Sequence, residues 1–312
     1  MSTPLLPPLV ALVGCTAAGK SELAIDLAHS LGSEIVGADS RQIYRYMDIG
    51  TAKPSPAQRA AVPHHLIDIV DPDEEFSLAL YQELALAAIA GITSHGRVPL
   101  LVGGTGQYVQ AVLEGWTVPR VPPQPALRAE LAEEAERSGV VSLHRRLAAV
   151  DPRAAATIGP TNLRRIIRAL EVYQISGVPI SAQQAKAPPP YRITTIWLDM
   201  PREHLFRRID TRVDQMMAAG LLDELRDLRR RGYSWELPAL SSLGYKEFQP
   251  WFEGTADLET CVQTLKWNTH AFARRQSAWF KRLPHLYRVT AGPTAQPEIV
   301  QLLASRGLSL PP

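Results

Sequence analysis

The chain has 312 residues, enough for one large domain or two smaller ones, and 46% hydrophobic against 21% charged residues is the balance of a globular protein with a sizeable core. A net charge of +2 gives no global signature of a polyanion partner, so any such site must come from local clustering. Two cysteines, Cys15 and Cys261, exclude a disulfide framework and point to a reducing cytoplasm, and no 18-residue apolar run is present to span a membrane.

Residues 9–13 (LVALV) form a short, continuously apolar run, as expected for a parallel strand covered on both faces rather than a signal peptide. It leads into Gly14-Cys15-Thr16-Ala17-Ala18-Gly19-Lys20-Ser21, which satisfies G-x-x-x-x-G-K-[ST], and then into a predicted helix from about Ser21 to Leu31, stopped near Gly32. In that pattern backbone N–H groups converge on phosphate oxygens, Lys20 neutralises charge and Ser21 is placed to ligate Mg2+. The pattern specifies a phosphate chain but not what the phosphates are attached to. Cys15 reads simply as loop filler.

"SEIVGADS" repeats the strand-then-polar pattern and ends at Asp39, which suits a helix cap, a Mg2+ ligand or a general base aimed across the phosphate site. The adjacent His64-His65 pair lacks metal-ligand spacing. A third strand, in "RVPLLVGGTGQYVQAVLEG", ends at the glycine turn 103–106, where Thr105 can offer a hydroxyl to the same crevice. Strands alternating with helices predict an α/β fold: a P-loop NTPase-like parallel sheet flanked by helices, with ligands beyond the carboxyl ends of the strands.

From Val118 the pattern changes. "VPRVPPQP" is a proline-rich hinge, followed by helical periodicity alone, with Asn162 a candidate N-cap and Gly177 a candidate C′ residue of "NLRRIIRALEVYQISG". "KAPPPY", residues 186–191, is a second hinge, after which "RITTIWLDM" resumes as a strand. This predicts a catalytic core from 1–118 and 191–312 carrying an all-helical insertion at 119–190. The last third is predicted helical over 202–231 and 255–282, with "HLYRVT" as a final short strand.

Basic residues gather on the predicted helices: Arg164, Arg165 and Arg168 on one, and Lys266, His270, Arg274 and Lys281 within one quadrant of another. One such cluster suits a solvated face; several on separate helices favour a shaped polyanion surface. Trp267, Trp279 and Phe280 are expected in the core. Arg208 and Arg212, one turn apart, suit either a bidentate diphosphate clamp or intrahelical pairing with Asp210 or Asp214.

Taken in order, "GCTAAGKS", "ADSRQIYRYMDIGTAKP", "PHHLIDIVDP", "PLLVGGTGQYVQAVLEG", "RALEVYQISG", "RVDQMMAAGLLDEL", "SLGYKEF" and "ARRQSAWFKR" resemble the tRNA dimethylallyltransferases (isopentenyltransferases) over nearly the whole chain. The resemblance implies a P-loop that binds dimethylallyl diphosphate rather than a nucleotide, an insertion that grips the tRNA anticodon stem-loop, and prenyl transfer to the exocyclic amine of the adenosine 3′-adjacent to the anticodon. It implies catalytic roles for Asp39, Thr105 and Lys20. Diphosphate binding would fall to residues 14–21 (Gly14, Cys15, Thr16, Ala17, Ala18, Gly19, Lys20, Ser21) and Arg212, with Mg2+ at Ser21. The tRNA contacts it implies are Asp39, Ser40, Arg41, Gln42, Thr105, Arg164, Arg165, Arg168, Gly244, Tyr245, Lys246, Arg274, Arg275 and Lys281. A cytoplasmic monomer is expected. Two stretches depart from the family pattern: Arg164 stands where Q-R-x-x-R has Gln, and "NTHA" (268–271) where A-T-R-Q is usual. A P-loop kinase or NTPase, prenyl transfer to a free adenine nucleotide, and a non-enzymatic RNA-binding adaptor are the competing readings.

Overall fold

The computed structural model describes residues 6–187 and 189–308, so Pro188 of the second hinge and the ends 1–5 and 309–312 of the expected core spans lie outside the described residues. The chain divides into two compact units, residues 1–113 with 190–312, and residues 114–189.

In chain order the first unit begins with β1 (Pro8–Gly14), α1 (Lys20–Leu31), β2 (Glu34–Gly37), α2 (Pro56–Ala61), β3 (His64–His65), α3 (Leu78–Ser94), β4 (Pro99–Gly103) and α4 (Gly106–Leu113). Helices α5 (Pro125–Ser138), α6 (Val140–Val150), α7 (Pro152–Thr157), α8 (Leu163–Ser176) and α9 (Ile180–Gln183) belong to the second unit. The first unit resumes with β5 (Arg192–Asp199), α10 (Arg202–Ala218), α11 (Leu221–Arg230), α12 (Gln249–Phe252), α13 (Leu258–Phe280), β6 (Leu286–Thr290) and α14 (Ala295–Ser305).

The six strands form one wholly parallel sheet in the order β3-β2-β4-β1-β5-β6. The apolar run of β1 sits near the middle and is buried throughout its length, with Val10 and Leu12 in one core and Leu9, Ala11 and Val13 in the other. That alternation is the two-residue period of a strand covered on both faces. Because the strands are parallel, Gly14, Gly37 and Gly103 end at the same edge, and the loops that follow them meet there. A third core, around Met47, Val213, Leu225, Tyr245, Phe248 and Leu265, backs the segment 43–51.

Gly32 ends α1 in the left-handed region (φ 57°) with its N–H on the carbonyls of Ala28 and His29. The helical stretch read over 202–231 is two helices: Gly220, at φ 96°, breaks it and starts α11. "HLYRVT" supplies β6 at the sheet edge, paired with β5.

The second unit has its own core, in which Leu131, Leu143, Leu147, Ile166 and Leu170 interdigitate. Asn162 caps α8 by accepting the Arg165 N–H, and Gly177 closes it at φ 69°. Where its two ends meet, Trp116 bridges Lys186 in antiparallel fashion, flanked by Thr117 N–H to Ala185 C=O (2.8 Å) and Ala187 N–H to Gly115 C=O (2.9 Å).

Candidate active site

The glycine loop runs from the end of β1 into the first turn of α1. A Cβ on Gly14 would lie 2.6 Å from the Leu198 carbonyl oxygen, so only glycine lets β1 and β5 stay together there. Ala17 and Gly19 both take positive φ (61° and 95°), and no side chain caps the N-terminus of α1, whose amides face the loop. Lys20 folds back so that Nζ donates to the Cys15 carbonyl (2.7 Å). Desolvation pushes its pKa down to about 8; Arg212 adds to this, while Cys15 and Asp39 act against it. The Cys15 thiol is raised by burial and packs on the Ala273 carbonyl, which makes it a filler with an inert sulfur.

From α10, Arg208 Nε donates to the Ala17 carbonyl (2.9 Å), and Arg212 Nη1 lies 3.5 Å from Thr16 Oγ1 on the pocket wall. Burial depresses the Arg212 pKa, with Asp39 opposing. The structure shows no intrahelical pair with Arg208 or Arg212 among the described residues: Asp214 pairs with Lys266 Nζ (2.7 Å) on α13, and Asp210 sits 2.9 Å from His270 Nε2 on the same helix.

The opposite wall follows β2 and β4. Asp39 does not cap a helix: its Oδ1 accepts the Arg41 N–H (2.8 Å), a turn that leaves Asp39 lining the same pocket as Lys20, Ser21 and Arg212. Thr105 stands one step back from the lining, at Gly103 and Gly104. Its Oγ1 accepts the Ser40 N–H (3.0 Å) and sits 3.3 Å from Ser40 Oγ, while its own N–H donates to Ala38 C=O. Gln42 Nε2 donates to the Thr51 and Ala52 carbonyls, drawing Thr51 and Pro54 into the wall, and Arg41 Nη1 donates to Pro238 C=O. Apolar side chains share this lining, Ala24, Ile35, Ile67, Val102 and Phe272, together with the polar Gln42, Thr51 and His64. The pocket therefore suits a molecule with an anionic head and an apolar body.

The other expected contacts fall elsewhere, and several need correction. Gly244 and Tyr245 are buried rather than presented at the surface: a Cβ on Gly244 would lie 2.9 Å from Gly50 O, and the fully buried Tyr245 hydroxyl donates to Glu224 (2.7 Å). Lys246 next to them is exposed. Arg274 and Arg275 on α13 and Lys281 just after it are exposed, whereas Lys266 and His270 lie in the seam with α10, where His270 also stacks on Phe206. Trp267, expected in the core, is 63% exposed, while Phe280 is buried and Trp279 packs where Gly106 has no side chain. On α8, Arg164 and Arg165 are exposed, but Arg168 donates to Glu171 (2.6 Å) and to the Val121 carbonyl, so it is a structural arginine in this state.

Three residues that the sequence does not single out hold the pocket together. Gln276 bridges the two glycine loops; Glu224 accepts the N–H groups of Asp48, Ile49 and Gly50; and Glu247 accepts from Gly244 N–H and Asn268 Nδ2. Gln276 and Glu224 act across long sequence separations that no local pattern marks, whereas Glu247 joins its near neighbour Gly244 to Asn268, 21 residues on.

A family described as IPP transferase matches residues 42–283 and one described as isopentenyl transferase matches residues 7–64. The chain is 61% identical over 294 residues to the tRNA dimethylallyltransferase of Roseiflexus castenholzii (94% of this chain, 95% of the relative), and 42% identical over 301 residues to that of Dehalococcoides mccartyi (96% and 93%). Among solved structures it resembles the tRNA isopentenylpyrophosphate transferase of Bacillus halodurans (TM-score 0.72, 40% identity, 96% of each chain). It also resembles a eukaryotic dimethylallyltransferase acting on tRNA (TM-score 0.79, 27% identity, 96% of this chain and 79% of that one). The matched span 42–283 includes Arg164 and residues 268–271, and the chain belongs to the tRNA dimethylallyltransferase (IPP transferase) family.

Proposed function

We propose that this chain, acting as a cytoplasmic monomer, transfers the dimethylallyl group of dimethylallyl diphosphate to N6 of the adenosine 3′-adjacent to the anticodon in tRNA, releasing diphosphate. The observation that carries the reading is one pocket that brings together a phosphate cradle, an acid and apolar side chains: Lys20, Arg212 and the α1 amides, Asp39, and Ile35, Ile67, Val102 and Phe272. A kinase or NTPase would use the same cradle, and apolar side chains also suit a nucleotide base, so ATP is tested in parallel below.

The chemistry follows from the residues. The exocyclic nitrogen attacks the first carbon of the prenyl chain, a C–N bond forms, and the C–O bond breaks with its electron pair passing to the diphosphate. Lys20, Arg212 and the uncapped amides of α1 oppose the negative charge that grows there. Asp39 accepts the proton that the amine must lose. The target base must leave its stack to reach the pocket. Ser21 and Asp39 supply hard oxygen donors, and no group of three His, Cys, Asp or Glu residues suited to a metal exists among the described residues. A Mg2+ ion held at Ser21 would therefore take most of its ligands from phosphate oxygens and water, its usual mode, and when bound it neutralises leaving-group charge. Recognition of tRNA would fall to the exposed arginines Arg164 and Arg165 and to Ser40, Arg41, Gln42 and Lys246, with Arg274 and Arg275 on α13 and Lys281 just after it.

The test is transfer of radiolabel from dimethylallyl diphosphate to unmodified tRNA in the presence of Mg2+, with ATP and free AMP in parallel. Label in tRNA without ATP hydrolysis is expected. ATP turnover with unlabelled tRNA, or label in AMP alone, overturns the reading. Asp39→Asn is expected to lower transfer by roughly 10²–10⁴-fold while leaving tRNA affinity within a few-fold.

A further inference from the structure

Gln276 lies near the C-terminal end of α13, 6% exposed, with its side chain between the two glycine loops. Its Oε1 accepts the Thr16 N–H at 2.8 Å, and its Nε2 donates to the Gly104 carbonyl at 2.8 Å. A Cβ on Gly104 would collide with Nε2, so the glycine leaves the space that the amide fills. The two loops carry the two halves of the chemistry. Thr16 belongs to the phosphate cradle. Gly104 precedes Thr105, whose hydroxyl receives the Ser40 N–H, and Ser40 adjoins Asp39.

One amide therefore connects the leaving-group side of the pocket to the acid side through two hydrogen bonds of opposite polarity. A carboxylate cannot make both, because it has no donor for Gly104. Nor can a hydrocarbon of the same length. Neither loop is joined to the other by a strand partner of its own at this point: Gly14 is registered against Leu198, and Gly103 against Val13 one residue earlier.

We propose that Gln276 is a positioning residue of the prenyl transfer, fixing the separation of the diphosphate cradle from Asp39, and that its amide is required as donor and acceptor at once. This rests on the function proposed above. Losing either bond lets the cradle and the acid drift relative to each other, which reduces turnover more than it reduces tRNA affinity, since Gln276 reaches no exposed basic residue.

The experiment compares wild type, Gln276→Glu and Gln276→Met after thermal unfolding shows all three folded. With the glutamate variant, kcat for transfer is expected to fall by about 100-fold near pH 8, the scale of a small misplacement of reacting groups, with the Kd for tRNA unchanged within about two-fold. The introduced carboxyl regains a donor on protonation. Buried beside the Gly104 carbonyl, it is expected to titrate above the ordinary glutamate range of about 4.3. The ratio of variant to wild-type kcat should consequently rise as pH is lowered from 8 toward 5.5, whereas the methionine variant, having no proton to regain, should show a flat and low ratio. A flat ratio for the glutamate variant, or wild-type kcat in the methionine variant, overturns the proposal. Should the glutamate variant not fold, Gln276→Asn decides: its amide is one methylene too short to span the loops, and full kcat in it overturns the proposal equally. Absence of transfer by the wild type itself would fall on the function rather than on Gln276.

Discussion

At the scale of single residues, Lys20 makes a prediction that its geometry alone would not. Desolvation holds its ammonium near a pKa of about 8 in the free protein, against an ordinary lysine value of about 10.5. An incoming diphosphate restores the charge it favours, so above pH 8 binding must draw a proton onto Lys20. Calorimetric titration of inorganic diphosphate at pH 8.5, in buffers of differing ionisation enthalpy, should show proton uptake in excess of that seen with Lys20→Met. At pH 6.5 the two should agree. Equal uptake at both pH values would mean that Lys20 is already paired with the charge before the ligand arrives. The sign for stability follows from the same shift: native Lys20 binds fewer protons than the unfolded chain between about pH 8 and 10.5, so its contribution rises with pH across that window and is a constant cost below it. The loop around Lys20 was legible because its glycines, lysine and serine are adjacent in sequence and each has a local reason to be there. Gln276 was not, since its partners Thr16 and Gly104 lie 260 and 172 residues away. Glu224 is hidden in the same way, reaching amides about 175 residues earlier to hold the segment that lines the pocket through Thr51.

At the scale of elements, α8 separates two arginines that the sequence presents as equivalent. Glu171 is fully buried at its side chain, and Arg128 (2.8 Å), Arg168 (2.6 Å) and the Gln124 N–H (2.7 Å) all converge on it. Burial works against its ionisation, but those hydrogen bonds outweigh it and hold the carboxyl below its ordinary range. Arg168→Ala removes one partner of a buried charge and should destabilise the helical unit by roughly 3–5 kcal/mol, discounted for the residual Arg128 contact. Arg165→Ala should leave stability within about 0.5 kcal/mol while lowering tRNA affinity and reducing the slope of log K against log salt by about 1. Thermal unfolding and salt-dependent filter binding on the two variants read both effects. An unchanged slope for Arg165→Ala would return α8 to an ordinary solvated face. A folded-state pKa below the unfolded one also means that the Glu171 contribution is present above the unfolded value and lost as pH falls through the folded one, so the helical unit should be acid-labile. Helical periodicity revealed α8 and its caps, but a wheel cannot tell an arginine that meets solvent from one that turns back onto a buried acid. The same blindness placed Trp267 inside, and it read α10 and α11 as one helix across Gly220, whose left-handed φ only the fold displays.

At the scale of the whole molecule, every residue of the candidate pocket comes from the first unit, while the second folds around a core of its own. The alternation of strands and helices made the parallel sheet legible, and the proline-rich stretches drew attention to the segment between β4 and β5. What no periodicity could show is how that segment leaves and returns: a short antiparallel neck, with Thr117 bonded to Ala185 and Ala187 to Gly115, brings its two ends side by side. Ends that are already paired can be closed by a tight turn, so replacing residues 118–184 with a Gly-rich hairpin connection of two to four residues demands no movement of the sheet. The shortened protein should bind inorganic diphosphate with the affinity of the full chain, because Lys20, Ser21 and Arg212 are untouched. It should lose at least about ten-fold in affinity for tRNA together with part of the salt slope, since Arg164 and Arg165 are gone. Retained tRNA affinity would instead place recognition wholly on the first unit, on Arg274, Arg275, Lys281 and the 39–42 turn. A folded protein that no longer binds diphosphate would show that the cradle depends on the helical unit, and that the two units, separable in their cores, are not separable in their chemistry.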